Sequence, residues 1–294
     1  MQKIALIGLG NWGKILLNEF SKKVYISNCV TTGNLKNILW LRKNYPKIKH
    51  SKNYQEILND KSIDIIVIAT PISTHYQLTL QALNSRKHVF VEKPLADKYN
   101  QAKYLKSIAL KHNLCLFVGH AFIYHPILNK IKTLIKTDPI IYFSMNWSKF
   151  GSFKENIFFN LLSHELSILL ELIGNPKNIS VVSSKGIISN LDIIIIKVNF
   201  SKNCTGIITI DRISKTSKKT ISITTKNQSL FWEDYDLYKL DKKTIQYKKI
   251  FHSDKTSVSN EITVFLNNVR ENDNNSYNLQ LAINIVKLVS GLVD

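Results

Sequence analysis

Over the first 120 residues, short apolar runs alternate with longer segments whose apolar residues recur three and four positions apart. That is the signature of buried strands alternating with amphipathic helices. Strands are predicted at Lys3–Ile7, Val24–Val30, Asp64–Ala69, His88–Val91 and Leu114–Val118. Helices are predicted at Asn11–Ser21, Leu35–Asn44, Thr74–Ser85 and Lys98–His112, the third with Leu78, Leu80, Ala82 and Leu83 among its apolar positions. Strands joined by helix-length crossovers pair in parallel, so the pattern predicts an α/β doubly wound parallel sheet of Rossmann type over residues 1–120.

Beyond Val118 the rhythm changes. A helix near Pro126–Lys136, a strand near Ile140–Trp147 and a helix near Phe159–Ile173 lead into seven short alternating runs: Ile179–Ser184, Asp192–Phe200, Thr205–Asp211, Lys219–Thr225, Ser229–Trp232, Asp236–Leu240 and Thr244–Ile250. Strands at such close spacing, with turn residues between them, predict a largely antiparallel sheet. Two helices near Val258–Val269 and Tyr277–Leu292 close the chain. Residues 121–294 are therefore expected as one α+β domain with a largely antiparallel open sheet.

Composition removes several classes. Hydrophobic residues make up 44% of the 294 residues and charged residues 21%, usage that excludes a disordered, collagenous or coiled-coil chain. No apolar stretch reaches the roughly 20 residues of a spanning helix, so no membrane association is expected. The first apolar run breaks at Gly8 without a small-residue cleavage pattern, which points to a cytoplasmic protein. Cys29, Cys115 and Cys204 are too few and too widely spaced for a disulfide framework or a metal cluster; they read as reduced and structural, and no metal is expected. The net charge of +19 raises nucleic acid, acidic membrane or an anionic substrate as partners. The lysines are scattered, however, and the clusters at Lys215–Lys219, Lys242–Lys243 and Lys248–Lys249 read as solvated strand ends. Nucleic acid is therefore not expected, whereas a phosphate-bearing small substrate fits.

The chemistry begins at Gly8-Leu9-Gly10-Asn11-Trp12-Gly13, directly after the first strand and opening the first helix. In that context GxGxxG is a dinucleotide fingerprint. Gly8 permits the tight turn, Gly10 a close approach to pyrophosphate, and Gly13 close helix–strand packing, while the helix N-terminus attracts the anion. The rival GxxxxGK[ST] phosphate loop fails because position 15 is Ile, not a magnesium-binding hydroxyl. No acidic residue follows the second strand to take the adenosine ribose. Thr31, Thr32 and Lys36 stand there instead, so NAD and NADP both remain open, with a lean towards tolerating NADP.

Two further strand tips lie at the ligand edge of such a sheet. One reads Ala69-Thr70-Pro71 with His75 on the following helix, for which a cofactor role and a capping or packing role both stand. The other reads Glu92-Lys93-Pro94, where proline stiffens the backbone that aims Lys93. A desolvated lysine beside a cationic nicotinamide has a lowered pKa and can share a proton with a reacting hydroxyl.

Together these segments, with the helix Asn160-Leu161-Leu162-Ser163-His164-Glu165-Leu166-Ser167-Ile168-Leu169, resemble the Gfo/Idh/MocA family of NAD(P)-dependent oxidoreductases over nearly the whole chain. The resemblance implies catalytic roles for Lys93 and His164, the first in substrate binding and proton transfer, the second as acid/base. It implies cofactor contacts from Gly8, Gly10, Asn11, Trp12, Gly13, Thr31, Thr32, Thr70, Pro71, His75, Glu92 and Lys93. It places Asn160, His120, Tyr124, His125 and Trp147 near the substrate, with aromatic side chains there able to stack on a sugar. Where the family often has an aspartate four residues before the histidine, this chain has Asn160, which can hold a hydroxyl but cannot take a proton. The expected activity is hydride transfer between NAD or NADP and a hydroxyl or keto carbon of a sugar or nucleotide-sugar, in surface-polysaccharide or nucleotide-sugar metabolism, by a homodimer or homotetramer. The alternative is a regulator or scaffold that binds dinucleotide on the same fold without turnover.

Overall fold

A computed structural model describes residues 2–201, 203–254, 257–273 and 276–293. The chain divides into two units. One runs to Ala121 and takes in Val258–Lys287; the other comprises Phe122–Ser257 and the residues from Leu288 on.

The first unit opens with β1 (Ile4–Ile7), α1 (Asn11–Ser21), β2 (Ile26–Val30), α2 (Leu35–Asn44), β3 (Lys49–Ser51), α3 (Tyr54–Asn59) and β4 (Ile65–Ile68). It continues with α4 (Ile72–Asn84), β5 (His88–Glu92), α5 (Tyr99–Lys111) and β6 (Leu116–Gly119). All pairings are parallel, in the order β3-β2-β1-β4-β5-β6, which is the doubly wound arrangement with its ligand crevice at the strand C-termini. β1 and β4 are buried at every position, as strands covered on both faces must be. β3 and α3 were not expected, because three and six residues are too few to show a period.

The second unit contains α6 (Pro126–Leu134), β7 (Ile140–Ser148), a π-helical turn at Phe158–Leu162 leading into α7 (Ser163–Leu172), and β8 (Asn178–Lys185). There follow β9 (Ile193–Asn199), β10 (Thr205–Asp211), β11 (Lys218–Thr225), β12 (Ser229–Glu233), β13 (Asp236–Asp241) and β14 (Gln246–His252). Their order is β14-β13-β12-β11-β7-β10-β9-β8, antiparallel except for β7 beside β10. Phe143, Met145, Ile194, Ile196, Ile208, Ile210, Ile221 and Ile223 alternate along four central strands and form the buried face.

The closing helices α8 (Ser257–Glu271) and α9 (Ser276–Val293) correct the expected domain assignment. Through Lys287 they belong with the first unit and not with the rest of 121–294. Phe265 on α8 packs against Phe20, Phe90 and Phe117, with ring centroids 6.2, 5.5 and 5.6 Å away. On the other face of the parallel sheet, Leu279, Ala282, Ile283 and Val286 of α9 join the core formed by Val89, Val91, Leu116 and Val118. Amphipathic periodicity shows that a helix has a buried face, but not which sheet buries it.

Candidate active site

In the first unit the glycine loop is specified by backbone geometry. Gly8 has φ +95°, its N–H donates to Val30 O at 2.8 Å, and a Cβ there would stand 2.5 Å from Ala69 O. A Cβ on Gly13 would stand 2.2 Å from Gly8 O, so the turn and the first helical turn close only around glycine. Gly10 has open space about its Cβ position, and it precedes α1 with no side-chain cap and no acidic residue in the first turn. Gly10, Asn11 and Trp12 are exposed.

The next strand tips carry the other residues. Thr70 is half-buried and Pro71 exposed, and the Thr74 hydroxyl bonds to both Thr70 Oγ1 and Pro71 O at 2.7 Å. His75 is buried, with Nε2 2.8 Å from Thr70 O and Nδ1 2.8 Å from Pro94 O. Both ring nitrogens therefore face backbone carbonyls, and the ring bridges two strand tips. Burial lowers its pKa against the pull of the two carbonyls, and the Lys93 charge lowers it further. Lys93 is half-buried and is joined to Pro94 by a cis peptide. His120 is buried, and burial followed by the charge of Lys93 pulls its pKa down to about 3, so it stays neutral. Glu92 is buried too, and the Trp12 side chain of the glycine loop acts on its carboxyl.

In the second unit, every residue from Ile157 to Leu170 is buried except Asn160 and His164, which are half-buried. They are four residues apart, the two accessible positions between Ile157 and Leu170. The spacing crosses the π-helical turn at Phe158–Leu162, a feature frequent at functional sites that no sequence period reveals. The His164 ring meets Phe122 and Trp147 edge-on at 5.3 and 5.4 Å.

Beneath these two aromatic rings lies a residue the sequence reading misplaced. Lys219, expected among solvated strand ends, is half-buried with its side chain only 12% exposed, its ammonium 4.1 Å from the Phe122 ring and 4.2 Å from the Trp147 ring, paired to Glu165. Burial lowers the Lys219 pKa and raises that of Glu165, and each partner opposes the other's shift. The signal was available: Lys219 alternates with Ile221 and Ile223, in register with Trp147, Met145 and Phe143 on β7.

Two residues expected at the substrate are enclosed by neighbouring groups. Trp147 is 9% exposed, with the Lys219 ammonium over its ring. His125 is buried, caps α6 by accepting from Ile127 N at 3.2 Å, and lies 5.0 Å from the Trp232 ring. Burial, then Lys219, pulls its pKa down to about 4. Tyr124 is half-buried on the short turn Ala121–Tyr124.

The oxidoreductase family model GFO_IDH_MocA, described as an NAD-binding Rossmann fold, matches residues 2–120. Residues 2–120 belong to the Gfo/Idh/MocA family. Among the relatives of this chain, the uncharacterized oxidoreductase YrbE of Bacillus subtilis is 27% identical over 140 residues, 46% of this chain and 40% of YrbE. The scyllo-inositol 2-dehydrogenase (NADP(+)) IolW of Bacillus subtilis is 24% identical over 195 residues, 60% of this chain and 53% of IolW. The matches span about half the length of these curated relatives or less. The solved structure of UDP-N-acetylglucosamine 3-dehydrogenase GnnA from Acidithiobacillus ferrooxidans has the same fold, with TM-score 0.88 at 15% identity, covering 99% of this chain and 96% of GnnA.

The cofactor of this Gfo/Idh/MocA domain is NAD or NADP. The residues present fit a dinucleotide: the clear space at Gly10 and the uncapped, acid-free first turn of α1 suit a pyrophosphate. At the ribose end Thr31 is buried, Thr32 exposed, and Gly33 has φ +97°. A Cβ on Gly33 would lie 3.0 Å from Lys52 Nζ, which adds a cation here that sequence spacing did not indicate. Among the described residues no His, Cys, Asp and Glu group could hold a metal, and no helix is long and apolar enough to cross a membrane. Cys29, Cys115 and Cys204 are buried and free.

Proposed function

We propose that this protein is an NAD(P)-dependent oxidoreductase that interconverts a hydroxyl and a carbonyl carbon on a sugar or nucleotide-sugar. The observation that carries the reading is the pair Asn160 and His164, the only residues of Ile157–Leu170 not fully buried. An imidazole and an amide four residues apart, in a stretch that otherwise hides its side chains, are suited to holding a polar substrate. The nicotinamide, when bound, supplies or accepts the hydride. His164 is the acid/base that takes or returns the hydroxyl proton, and Asn160 orients that hydroxyl by hydrogen bonds without exchanging a proton. Lys93, at the tip of β5 in the first unit, is assigned to substrate binding and to holding the proton in transit. His120 and Tyr124 are assigned as substrate contacts.

A sugar substrate is supported by the names of relatives: an inositol dehydrogenase by sequence and a UDP-N-acetylglucosamine dehydrogenase by fold. The net charge of +19 suits a nucleotide diphosphate. We place the enzyme in the cytoplasm, in surface-polysaccharide or nucleotide-sugar metabolism. It acts as a homodimer or homotetramer built on the outer face of the eight-stranded sheet, where Ile141, Tyr142 and Ile207 are exposed. Asn160 supports one other reading, a dinucleotide-binding regulator without turnover. The test is a titration with NADH and NADPH followed by a panel of UDP- and dTDP-sugars. A change in nicotinamide absorbance on adding one sugar establishes the enzyme and its substrate together. Dinucleotide binding with no turnover across the panel favours the regulator.

A further inference from the structure

Two carboxyl groups of the first unit are buried on two elements that pack together. Phe90 and Glu92 point to the same side of β5, two residues apart, and Glu261 and Phe265 share one face of α8, four residues apart. Phe265 packs on Phe90 at 5.5 Å, and Glu261 and Glu92 are the next residues along the same two faces. Gly119, paired with Glu92 on β6, makes the room: a Cβ there would stand 2.9 Å from Glu92 Oε1. Glu261 is 0% exposed and Glu92 7%. Glu92 Oε1 and both carboxyl oxygens of Glu261 have no hydrogen-bond partner among the described residues. The groups that face the pair are the Trp12 side chain from α1 and Lys93 beyond the end of β5; on Glu261 the one charge that acts is Glu92 itself.

A buried carboxylate with both oxygens unpartnered is costly, and two of them facing each other are costlier still. A protonated carboxyl has an O–H to donate and a carboxylate has lone pairs to accept it, so one proton between the two satisfies both groups. We propose that Glu261 and Glu92 share a proton, and that through this bond Glu261 acts as a positioning residue, fixing the Glu92 carboxyl that holds Trp12 in the dinucleotide loop. The electrostatics agree. Burial raises the Glu92 pKa to about 7 against the pull of the Trp12 side chain and the charge of Lys93. Burial, then the charge of Glu92, raises Glu261 well above the ordinary carboxyl range. Glu261 lies some 170 residues from Glu92 in sequence and reaches it only because α8 belongs to the first unit.

The inference rests on the dinucleotide site and not on the proposed reaction, so it is tested without substrate. Acids whose pKa is raised on folding stabilise the native state below their unfolded pKa, and that contribution is lost as pH rises through the folded value. The melting temperature of the protein without dinucleotide is therefore expected to fall from pH 5 to pH 9. Glu261→Gln, which keeps a donor but cannot ionise, is expected to flatten that slope and to melt above the wild type at pH 9. At pH 7, Glu261→Gln should bind NADH and NADPH within about threefold of wild type, while Glu261→Leu, with no donor, binds about tenfold more weakly. In a Trp12→Phe background, Glu261→Leu should have no further effect on affinity, because the coupling runs through Trp12. An unchanged pH slope in Glu261→Gln overturns the shared proton, whether or not Glu261→Leu folds. Equal affinities of the Gln and Leu variants overturn the positioning role. If both expectations hold and no sugar is turned over, the inference stands and the oxidoreductase reading fails.

Discussion

The two units prepare for chemistry by opposite means. The first uses backbone: glycines at 8 and 13 that leave no room for a Cβ, an uncapped helix start, and a histidine whose two nitrogens face carbonyls. The second uses side chains from elements distant in sequence: a Lys219–Glu165 pair walled by Phe122 and Trp147, with His164 on the same two rings. A site made of backbone tolerates little change in residue size but needs few charges. A site made of buried charge depends on partners staying paired. Substitutions should therefore fail differently in the two units, and that difference can be measured.

The largest effect is expected where proton handling is assigned. Lys93→Ala and His164→Ala should each lower kcat by about 10²- to 10⁴-fold, the usual contribution of a positioned acid or base, once a substrate is in hand. In His164→Ala dinucleotide affinity should stay within about threefold, since His164 is not among the cofactor contacts. Full turnover in both variants would remove the assigned mechanism.

Breaking the Lys219–Glu165 ion pair comes next. Lys219→Met leaves the Glu165 carboxyl buried without its cation, and removing one partner of such a pair costs about 3–5 kcal/mol. The double change Lys219→Met with Glu165→Leu should recover most of that loss, because an apolar pair of similar size avoids the desolvation altogether. Denaturant unfolding of the two variants and wild type is the measurement. If the double variant is no more stable than Lys219→Met, the pair contributes by packing rather than by charge.

In the first unit the comparable disruption is steric. A methyl at Gly13 would meet Gly8 O at 2.2 Å, and overpacking of this kind costs about 1–3 kcal/mol. Gly13→Ala should therefore lose NADH and NADPH binding together while losing less stability than Lys219→Met. Gly10→Ala, whose Cβ meets no protein atom, should leave the melting temperature unchanged and weaken only the dinucleotide. A drop in melting temperature for Gly10→Ala would show that the loop is held by more than its glycines.

The same contrast explains what could be read from the amino acids alone. Gly8, Gly10 and Gly13 announce their site because a backbone constraint demands one residue type at fixed spacing after a strand, and the alternation of strands and helices gave the parallel sheet. Where a role depends on partners far along the chain, local pattern was silent. Lys219 and Glu165 are 54 residues apart, and the inward register of Lys219 was outweighed by the neighbouring lysines. The membership of α8 and α9 in the first unit likewise rests on Phe265 and Ile283 finding a particular sheet. His75, His125 and Trp147 were recognised as notable, but their hydrogen bonds and ring contacts join groups that no local pattern shows. The π-helical turn before His164 has no signature in the apolar period.

The smallest effect concerns cofactor choice at the end of β2. Thr32 is exposed and Gly33 packs beside Lys52, with no carboxylate among Thr31, Thr32, Gly33 and Asn34. A carboxylate at this position would accept the ribose hydroxyls of NAD and repel the 2′-phosphate of NADP. Two unit charges about 4 Å apart in water interact by about 1 kcal/mol, which corresponds to roughly fivefold in affinity. Thr32→Asp should therefore raise the ratio of NADPH to NADH dissociation constants by about fivefold. Lys52→Glu should raise it further by removing a cation and adding an anion, and added salt should shrink both shifts because the groups are solvent-exposed. Fluorescence titration of the two cofactors against each variant decides the matter: a ratio that stays fixed in both would put the adenosine ribose at some other strand end and leave Lys52 as packing for Gly33.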